Sequence, residues 1–250
     1  MSTSPPSDWE PPRRTLIVAS MPRSGSNLLC GKMRTTGVLG YPTEYFRHWD
    51  TPEMASAERC VIAATKGRTP NGVVAFKLFP EHFDRLQAEI RLTQWFPDPV
   101  WVLLERRDLL GQAISLARAM QDGKWSSTGT ATGVAEYSRE QIEASLRKIV
   151  IGNARWASFF ARAGIEPLRF VYEDIDGDFD SVCRAIAARL GLDEPMPPTT
   201  DVSIKPQRDV LNDEWRARFV AETGPLDDLP ELTRHGGRGR RQSRWKFWKG

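Results

Sequence analysis

The ten residues from Ser20 to Leu29, SMPRSGSNLL, form the part of the chain whose residue types point most directly to chemistry. They follow the apolar run TLIVAS and open a predicted helix, so backbone N–H groups, a helix dipole, two hydroxyls and the Arg23 guanidinium converge there. This combination suits a phosphate or sulfate, and Gly25 allows the backbone to approach the anion closely. The alternative is a turn in which Ser24 or Ser26 only caps the helix, but Arg23 has no capping role.

The loop also indicates which anion it holds. A nucleotide kinase or NTPase loop ends in GK[ST], with the lysine on the terminal phosphates and the Ser or Thr on magnesium. This loop has no lysine, and Asn27 stands where a small hydroxyl would meet the metal. We therefore expect an anion that needs less charge neutralisation and no metal ion. Sulfuryl transfer fits, because the moving group carries less negative charge than a phosphoryl group.

Lys77 interrupts the otherwise apolar segment from Val73 to Phe79, near its carboxyl end. A lysine is seldom fully buried without a partner, so one interpretation places its ammonium in a cleft, where it neutralises charge on sulfuryl oxygens. The other interpretation is an edge-strand lysine that guards against aggregation. The sequence leaves both open.

Short apolar runs alternate with amphipathic segments along the chain, which predicts an α/β fold. Each run is apolar nearly throughout, as in strands covered on both faces of a parallel sheet. We expect a P-loop-like open parallel sheet of four to five strands with helices on both faces, and a ligand site outside the carboxyl ends of the strands. The predicted strands are 15–20, 73–79, 100–104 and 167–172, and the predicted helices are about 25–36, 53–66, 81–92, 108–121, 139–163 and 179–190. Residues 124–135 and 193–212 are predicted loops.

Length and composition limit the class of protein. The 250 residues are 40% hydrophobic and 27% charged, with no internal repeat, which suits a single globular domain over residues 15–225. The longest apolar runs are far shorter than the roughly 20 residues that cross a bilayer. Residues 1–14 contain four prolines and no apolar core of a secretory signal, and we interpret them as a disordered leader.

The charge is unevenly distributed. Residues 234–250 carry seven basic side chains and no acidic ones, whereas the other 28 basic residues are outnumbered by 32 acidic ones. The segment 226–250 is therefore predicted to be a basic, aromatic tail. Its mixture of cations with Trp and Phe favours peripheral contact with an anionic membrane surface, and nucleic-acid binding or a disordered extension are the alternatives.

Three cysteines, an odd number without CxxC spacing, indicate a reducing compartment and no metal site. We expect a cytoplasmic protein, with the inner membrane face as a second location if the tail binds lipid.

Five segments, taken together, resemble those of the bacterial carbohydrate sulfotransferase family typified by trehalose 2-sulfotransferase. They occur in the family's order between about residues 15 and 222, and they read LIVASMPRSGSNLL, TTGVLGYPTEYF, GRTPNGVVAFKLF, RRDLLGQAISLARAMQDGKW and NDEW. The resemblance implies an enzyme that moves a sulfuryl group from PAPS, 3'-phosphoadenylyl sulfate, to a carbohydrate or glycolipid hydroxyl. Trehalose itself is not carried over, because the segment before Glu44 lacks an acidic residue and the stretch 47–68 is short.

The resemblance also assigns residues to the donor. It implies that Arg23, Ser24, Gly25, Ser26 and Asn27 hold the 5'-phosphosulfate. Arg106 and Ser115 are implied to bind the 3'-phosphate. The neighbouring Arg107 is an alternative to Arg106, and pairing of either arginine with Asp108 is the competing interpretation. Arg208 is a further candidate for nucleotide contact.

On the acceptor side, Glu44 matches the family's catalytic base. A carboxylate within hydrogen-bond reach can take the hydroxyl proton as the oxygen attacks sulfur, although a loop glutamate taken alone is usually a solvated charge. His48 and His82 are interpreted as structural or solvated. Trp125 has two interpretations, stacking on a sugar or adenine and packing.

Two other functions compete with sulfuryl transfer. The first is a metal-dependent nucleotide phosphotransferase, against which the missing loop lysine counts. The second is a non-catalytic protein that binds nucleotide or membrane. Homodimerisation is compatible with the sequence, and no nucleic-acid partner is expected.

Overall fold

The computed structural model describes residues 4–47, 56–125, 129–130, 132–192, 195–203 and 210–224. Over these residues the chain alternates strands with helices, as the apolar periodicity predicts. The strands are β1 (Arg14–Ser20), β2 (Val73–Leu78), β3 (Val100–Glu105) and β4 (Leu168–Val171). The helices are α1 (Ser26–Thr35), α2 (Ala57–Lys66), α3 (Pro80–Glu89), α4 (Leu92–Trp95), α5 (Leu109–Asp122), α6 (Arg139–Ala163), α7 (Tyr172–Ile175), α8 (Phe179–Arg189) and α9 (Val210–Thr223).

The four strands form one parallel sheet in the order β2-β1-β3-β4. Successive residues of β1 point to opposite faces, as strand geometry requires. Leu16 and Val18 pack against α1 and α8, whereas Ile17 and Ala19 pack on the side of α2, α3 and α6. The sheet is therefore open and covered by helices on both faces, which confirms the predicted fold class.

The prediction that every strand is buried is wrong for β4. Its residues are half-buried or exposed, whereas β1 beyond its first residue and all of β2 are buried. β4 pairs only with β3 among the described residues, and β2 at the opposite edge is buried although it too has a single partner strand.

α9 was not expected from the sequence, which predicts a loop as far as residue 212. Its apolar face is narrow, and only Asn212, Trp215 and Phe219 are buried. Trp215 and Phe219 pack on α5 and α6 in a third apolar cluster. Because α5 begins at the carboxyl end of β3, this packing brings α9 to the same end of the sheet.

Segments outside the sheet also contact the core. Trp9 packs edge-on against Trp95, with ring centroids 4.8 Å apart, although it belongs to the leader segment.

The three cysteines are buried and form no disulfide. In the part of the chain that the structure describes, no helix combines the length and the apolar character needed to cross a bilayer. The division at residue 225 and the tail lie outside or at the limit of the described residues, and they stay predictions.

Candidate active site

A cavity of about 1050 Å³ opens at the carboxyl ends of β1, β2 and β3. Parallel strands place the loops that follow them at one edge of the sheet, so residues far apart in sequence meet there. The cavity lining includes Arg23, Gly25, Ser26, Asn27, Glu44, Lys77, Arg106 and Ser115. The structure thus brings together eight of the nine predicted site residues that lie within the described chain, and the ninth, Ser24, is buried in the same loop.

The loop between β1 and α1 has the backbone that close approach to an anion requires. Gly25 is the N-cap of α1, with φ +86°, and a Cβ there would lie 2.2 Å from the Tyr172 ring. Neither Ser24 nor Ser26 makes a side-chain cap hydrogen bond at this helix, so the capping alternative is wrong. The buried Ser24 hydroxyl has no hydrogen-bond partner among the described residues, and the adjacent Arg23 also has a positive φ of 65°.

Arg23 extends from this loop toward α5. Its Nε donates to Ser115 Oγ at 2.9 Å, and its NH1 donates to the Trp125 carbonyl at 2.6 Å. Burial, together with the charges of Arg106 and Arg118, lowers the pKa of Arg23 to about 10, against a smaller opposing effect of Asp122. Depression of an arginine pKa means that positive charge is concentrated in a poorly solvated place. A bound anion would relieve that repulsion.

Arg106 lies beside the loop at the end of β3. Its NH1 donates to the Arg23 carbonyl at 3.2 Å, and its guanidinium lies 3.6 Å from Glu173 and 3.7 Å from Asp108. Its buried Nε has no hydrogen-bond partner among the described residues. Arg106 and Ser115 therefore face one region of the cavity, linked through Arg23.

Arg107 does not occupy an equivalent position. Its side chain is 63% exposed and pairs with Asp174 at 2.5 Å, and it does not line the cavity. The interpretation that Arg107 substitutes for Arg106 is therefore wrong. Asp108 instead accepts two hydrogen bonds from Arg216 of α9, at 2.5 and 2.6 Å, and caps α5 through Gly111 N–H.

Lys77 connects the anion loop to Glu44. Its Nζ lies 2.7 Å from Glu44 Oε1 and donates to Asn27 Oδ1 at 2.5 Å, with Ser26 Oγ at 3.4 Å. The side chain is only 3% exposed and lines the cavity, so its ammonium lies in the cleft. Although β2 is an edge strand, the buried Lys77 does not guard that edge, and its role toward sulfuryl oxygens stays a prediction. The backbone explains the approach, because Lys77 N–H donates to the Thr43 carbonyl at 2.9 Å.

The carboxyl group of Glu44 is held ionised by this contact. Burial alone would raise its pKa, but attraction to the Lys77 ammonium and the hydrogen bond between them outweigh burial, with smaller contributions from His82 and Arg47. The net effect lowers the pKa of Glu44 below its ordinary value. A partly exposed carboxylate at a cavity wall can accept a proton from a bound hydroxyl.

Several residues at this site were not predicted from the sequence. Gln112 Nε2 donates to the Pro22 carbonyl at 2.7 Å and supports the anion loop, and the Tyr172 ring packs against Gly25. His82, interpreted as structural or solvated, lines the cavity. Tyr172 directly follows β4, and that position after a strand is the one signal that could have identified it.

Trp125 lines the same cavity as Glu44 and the anion loop. Its ring lies 5.8 Å from the Arg47 guanidinium carbon, and its carbonyl accepts from Arg23. The interpretation of Trp125 as a packing residue is not favoured, because 39% of it is exposed. Arg208 and His48 lie outside the described residues, and their roles stay as predicted.

Comparison with known proteins identifies the family of the chain. The model of the family described as Stf0 sulphotransferase matches residues 15–222. The chain is 26% identical to a trehalose 2-sulfotransferase of Mycobacterium tuberculosis, over 85% of this chain and 97% of that protein. It is 25% identical to a trehalose 2-sulfotransferase of Mycolicibacterium smegmatis, over 88% and 98% of the two chains.

Among solved structures, the sulfotransferase domain of the Synechococcus PCC 7002 olefin synthase matches with a TM-score of 0.46 and 15% identity, over 87% of this chain and 91% of that one. The family match covers the sheet, the anion loop, Glu44, Lys77 and Arg106, which are the elements that build the cavity. The chain belongs to the Stf0 sulfotransferase family and is a sulfotransferase.

Proposed function

We propose that this sulfotransferase moves a sulfuryl group from PAPS to a hydroxyl of a carbohydrate or glycolipid acceptor, with Glu44 as the general base. The observation that carries the proposal is the position of Lys77, whose ammonium contacts both Glu44 and the anion loop. The proposed base for the acceptor, Glu44, and the loop proposed to bind the anionic donor thus both contact the Lys77 ammonium. The two mycobacterial relatives, named for sulfation of a sugar, support a carbohydrate acceptor.

The residues of the cavity fit a donor with two separated anionic groups. The loop from Arg23 to Asn27 offers backbone N–H groups at a left-handed glycine and a buried hydroxyl without a protein partner among the described residues, which suits the 5'-phosphosulfate. Arg106 and Ser115, at the start and in the second turn of the segment after β3, suit the 3'-phosphate. Arg208 stays a proposed additional contact to the nucleotide.

Glu44 would accept the acceptor's hydroxyl proton while the hydroxyl oxygen forms its bond to sulfur. PAPS supplies the activated sulfuryl group, whose bond to the phosphate oxygen breaks as the new bond forms. Because the pKa of Glu44 lies below its ordinary value, the carboxylate is a weak base, and proton transfer must be concerted with attack rather than precede it. Lys77 would stabilise charge that develops near the anion loop.

Nucleotide binding and transfer can be tested separately. Isothermal titration should show tight binding of 3'-phosphoadenosine 5'-phosphate and at least tenfold weaker binding of AMP and ATP, in buffers with and without EDTA. Radiolabelled sulfate from PAPS should then appear on at least one member of a panel of sugars and glycolipids, trehalose included. Equal affinity for AMP, or ATP turnover that requires magnesium, would contradict the proposal and favour a phosphotransferase.

The membrane proposal for residues 234–250 needs its own test. Sedimentation with anionic liposomes should pellet the full chain and leave a chain shortened to residue 233 in solution. Equal pelleting of the two chains would remove the proposal.

A further inference from the structure

His82 lines the cavity, but it has no role in the donor site or in the proton transfer proposed for Glu44. β2 ends at Leu78, Phe79 caps α3, and Pro80 opens the helix, so His82 lies in the first turn directly above the carboxyl end of β2. It lines the same cavity as Glu44 and Lys77. The sharp strand-to-helix connection therefore brings a third titratable group to the end of β2.

The imidazole of His82 has unused hydrogen-bonding capacity. Its Nδ1 is buried without a partner in the described part of the chain, and its ring packs 5.2 Å from the Phe79 ring. Because Nδ1 is enclosed, Nε2 is the ring nitrogen that a ligand in the cavity can reach.

Burial favours the neutral form of the His82 ring. Burial lowers its pKa, with Lys77 and Arg47 adding to that effect, while Glu44 and Glu81 act in the opposite direction. A neutral imidazole carries one N–H donor and one acceptor lone pair, which matches the needs of a sugar hydroxyl better than those of a phosphate.

The sheet order places His82 on the side of the acceptor. The anion loop follows β1, and Arg106 and Ser115 follow β3, whereas His82 follows β2 on the other side of β1. Glu44 lies on that same side, because its loop runs along β2 through the hydrogen bond from Lys77 N–H to the Thr43 carbonyl. A donor nucleotide that lies across β1 and β3 leaves the region over β2 to the acceptor.

We propose that His82 binds the acceptor, with Nε2 hydrogen-bonded to a hydroxyl next to the one that attacks sulfur. This inference rests on the proposed function and deepens it, since it assigns a specificity residue to the acceptor half of the site. The hydrogen bond fixes the orientation of the sugar and leaves proton removal to Glu44.

Two amide substitutions distinguish this role from packing. In His82→Gln the side-chain amide reaches about as far as Nε2, whereas in His82→Asn it reaches about as far as Nδ1. We expect His82→Gln to keep the acceptor KM within about threefold, and His82→Asn and His82→Phe to raise it on the order of tenfold, the effect of one lost hydrogen bond. The KM for PAPS and kcat should change less than threefold in all three variants.

Other outcomes would overturn the proposal. If kcat falls at least a hundredfold in His82→Gln with acceptor KM unchanged, His82 is itself the base. If His82→Gln, His82→Asn and His82→Phe raise the acceptor KM equally, or none of them does, His82 packs rather than binds.

Titration of 3'-phosphoadenosine 5'-phosphate separates failure of this inference from failure of the proposed function. All three variants should bind that nucleotide as the wild type does, because His82 lies on the acceptor side. If the wild type fails to bind the nucleotide or to transfer sulfate, the proposed function itself fails. Normal nucleotide binding and transfer with no change in acceptor KM would contradict only the role of His82.

Discussion

Nζ of Lys77 lies 2.7 Å from Oε1 of Glu44, although 33 positions separate the two residues in the sequence. The same ammonium donates to Asn27 at 2.5 Å, so one buried cation holds together the proposed base and the anion loop. Removing one partner of such a buried pair leaves the other charge uncompensated, which costs more than the pair contributes.

Replacing Glu44 by Gln should abolish the base without removing the donor site. We expect kcat to fall by about 10² to 10⁴, the usual contribution of a general base, and the affinity for 3'-phosphoadenosine 5'-phosphate to stay within threefold. Glu81→Gln is the matched control, because Glu81 lines the same cavity but is half-exposed and paired with Lys148 at 3.1 Å. A Glu44→Gln enzyme with full activity would disprove the assigned base.

Thermal unfolding of the same variants tests the buried pair. Glu44→Gln should lower Tm because Lys77 is left buried beside a neutral amide. The double variant Glu44→Gln, Lys77→Met should have a higher Tm than Glu44→Gln alone, since it removes the uncompensated charge. A further fall of Tm in the double variant would show that Asn27 and Ser26 suffice to stabilise the ammonium.

Lys77 should also set the acid limit of activity. Because it holds the pKa of Glu44 below its ordinary value, the carboxylate stays ionised throughout the weakly acidic and neutral range. Wild-type kcat/KM should therefore show no loss from Glu44 between pH 8 and pH 5. In Lys77→Met the ammonium no longer opposes burial, and burial raises the pKa of Glu44. As the pH is lowered, the residual activity of this variant should therefore be lost at a higher pH than in the wild type.

The pH profile must be separated from the titration of His82. The wild type and the Lys77→Met variant should both be measured again with His82→Gln, which removes the imidazole and leaves Glu44 in place. If activity is lost at the same acidic pH in His82→Gln and in the double variant His82→Gln, Lys77→Met, then Lys77 does not control the pKa of Glu44 and the prediction is wrong.

Arg106 and Arg107 offer a matched pair for the 3'-phosphate. Arg106→Gln should weaken binding of 3'-phosphoadenosine 5'-phosphate by ten- to a hundredfold and leave AMP affinity nearly unchanged, because only the first nucleotide carries the 3'-phosphate. Arg107→Gln should change neither, since its side chain is exposed and pairs with Asp174 outside the cavity. Calorimetry with the two nucleotides measures the difference, and equal effects of the two substitutions would refute the assignment.

Gly25 and Gly164 form a second matched pair. Both have positive φ, 86° and 65°, so alanine strains the backbone at either position by roughly 1 kcal/mol. A Cβ at Gly164 meets nothing within 4 Å, whereas at Gly25 it would lie 2.2 Å from Tyr172. Gly25→Ala should therefore lower Tm more than Gly164→Ala and should alone weaken nucleotide binding. Similar nucleotide affinity in the two variants would show that the loop tolerates a side chain.

The sequence alone determined most of the sheet and the anion loop. The apolar runs at β1, β2 and β3, the second interrupted by Lys77, have the length and composition of buried strands, and their boundaries agree with the structure within one or two residues. Local physics also identified Gly25, because a backbone that approaches an anion closely favours a residue without a side chain.

Only the tertiary structure decided which charged groups act together. A loop glutamate such as Glu44 and a lone histidine such as His82 have no local pattern that separates a solvated side chain from a cavity wall. α9 is similar, because its stability comes from Trp215 and Phe219 packing on distant helices rather than from its own periodicity. These features depend on which strand ends adjoin in space, and that order, β2-β1-β3-β4, follows from burial summed over the whole sheet rather than from any single segment.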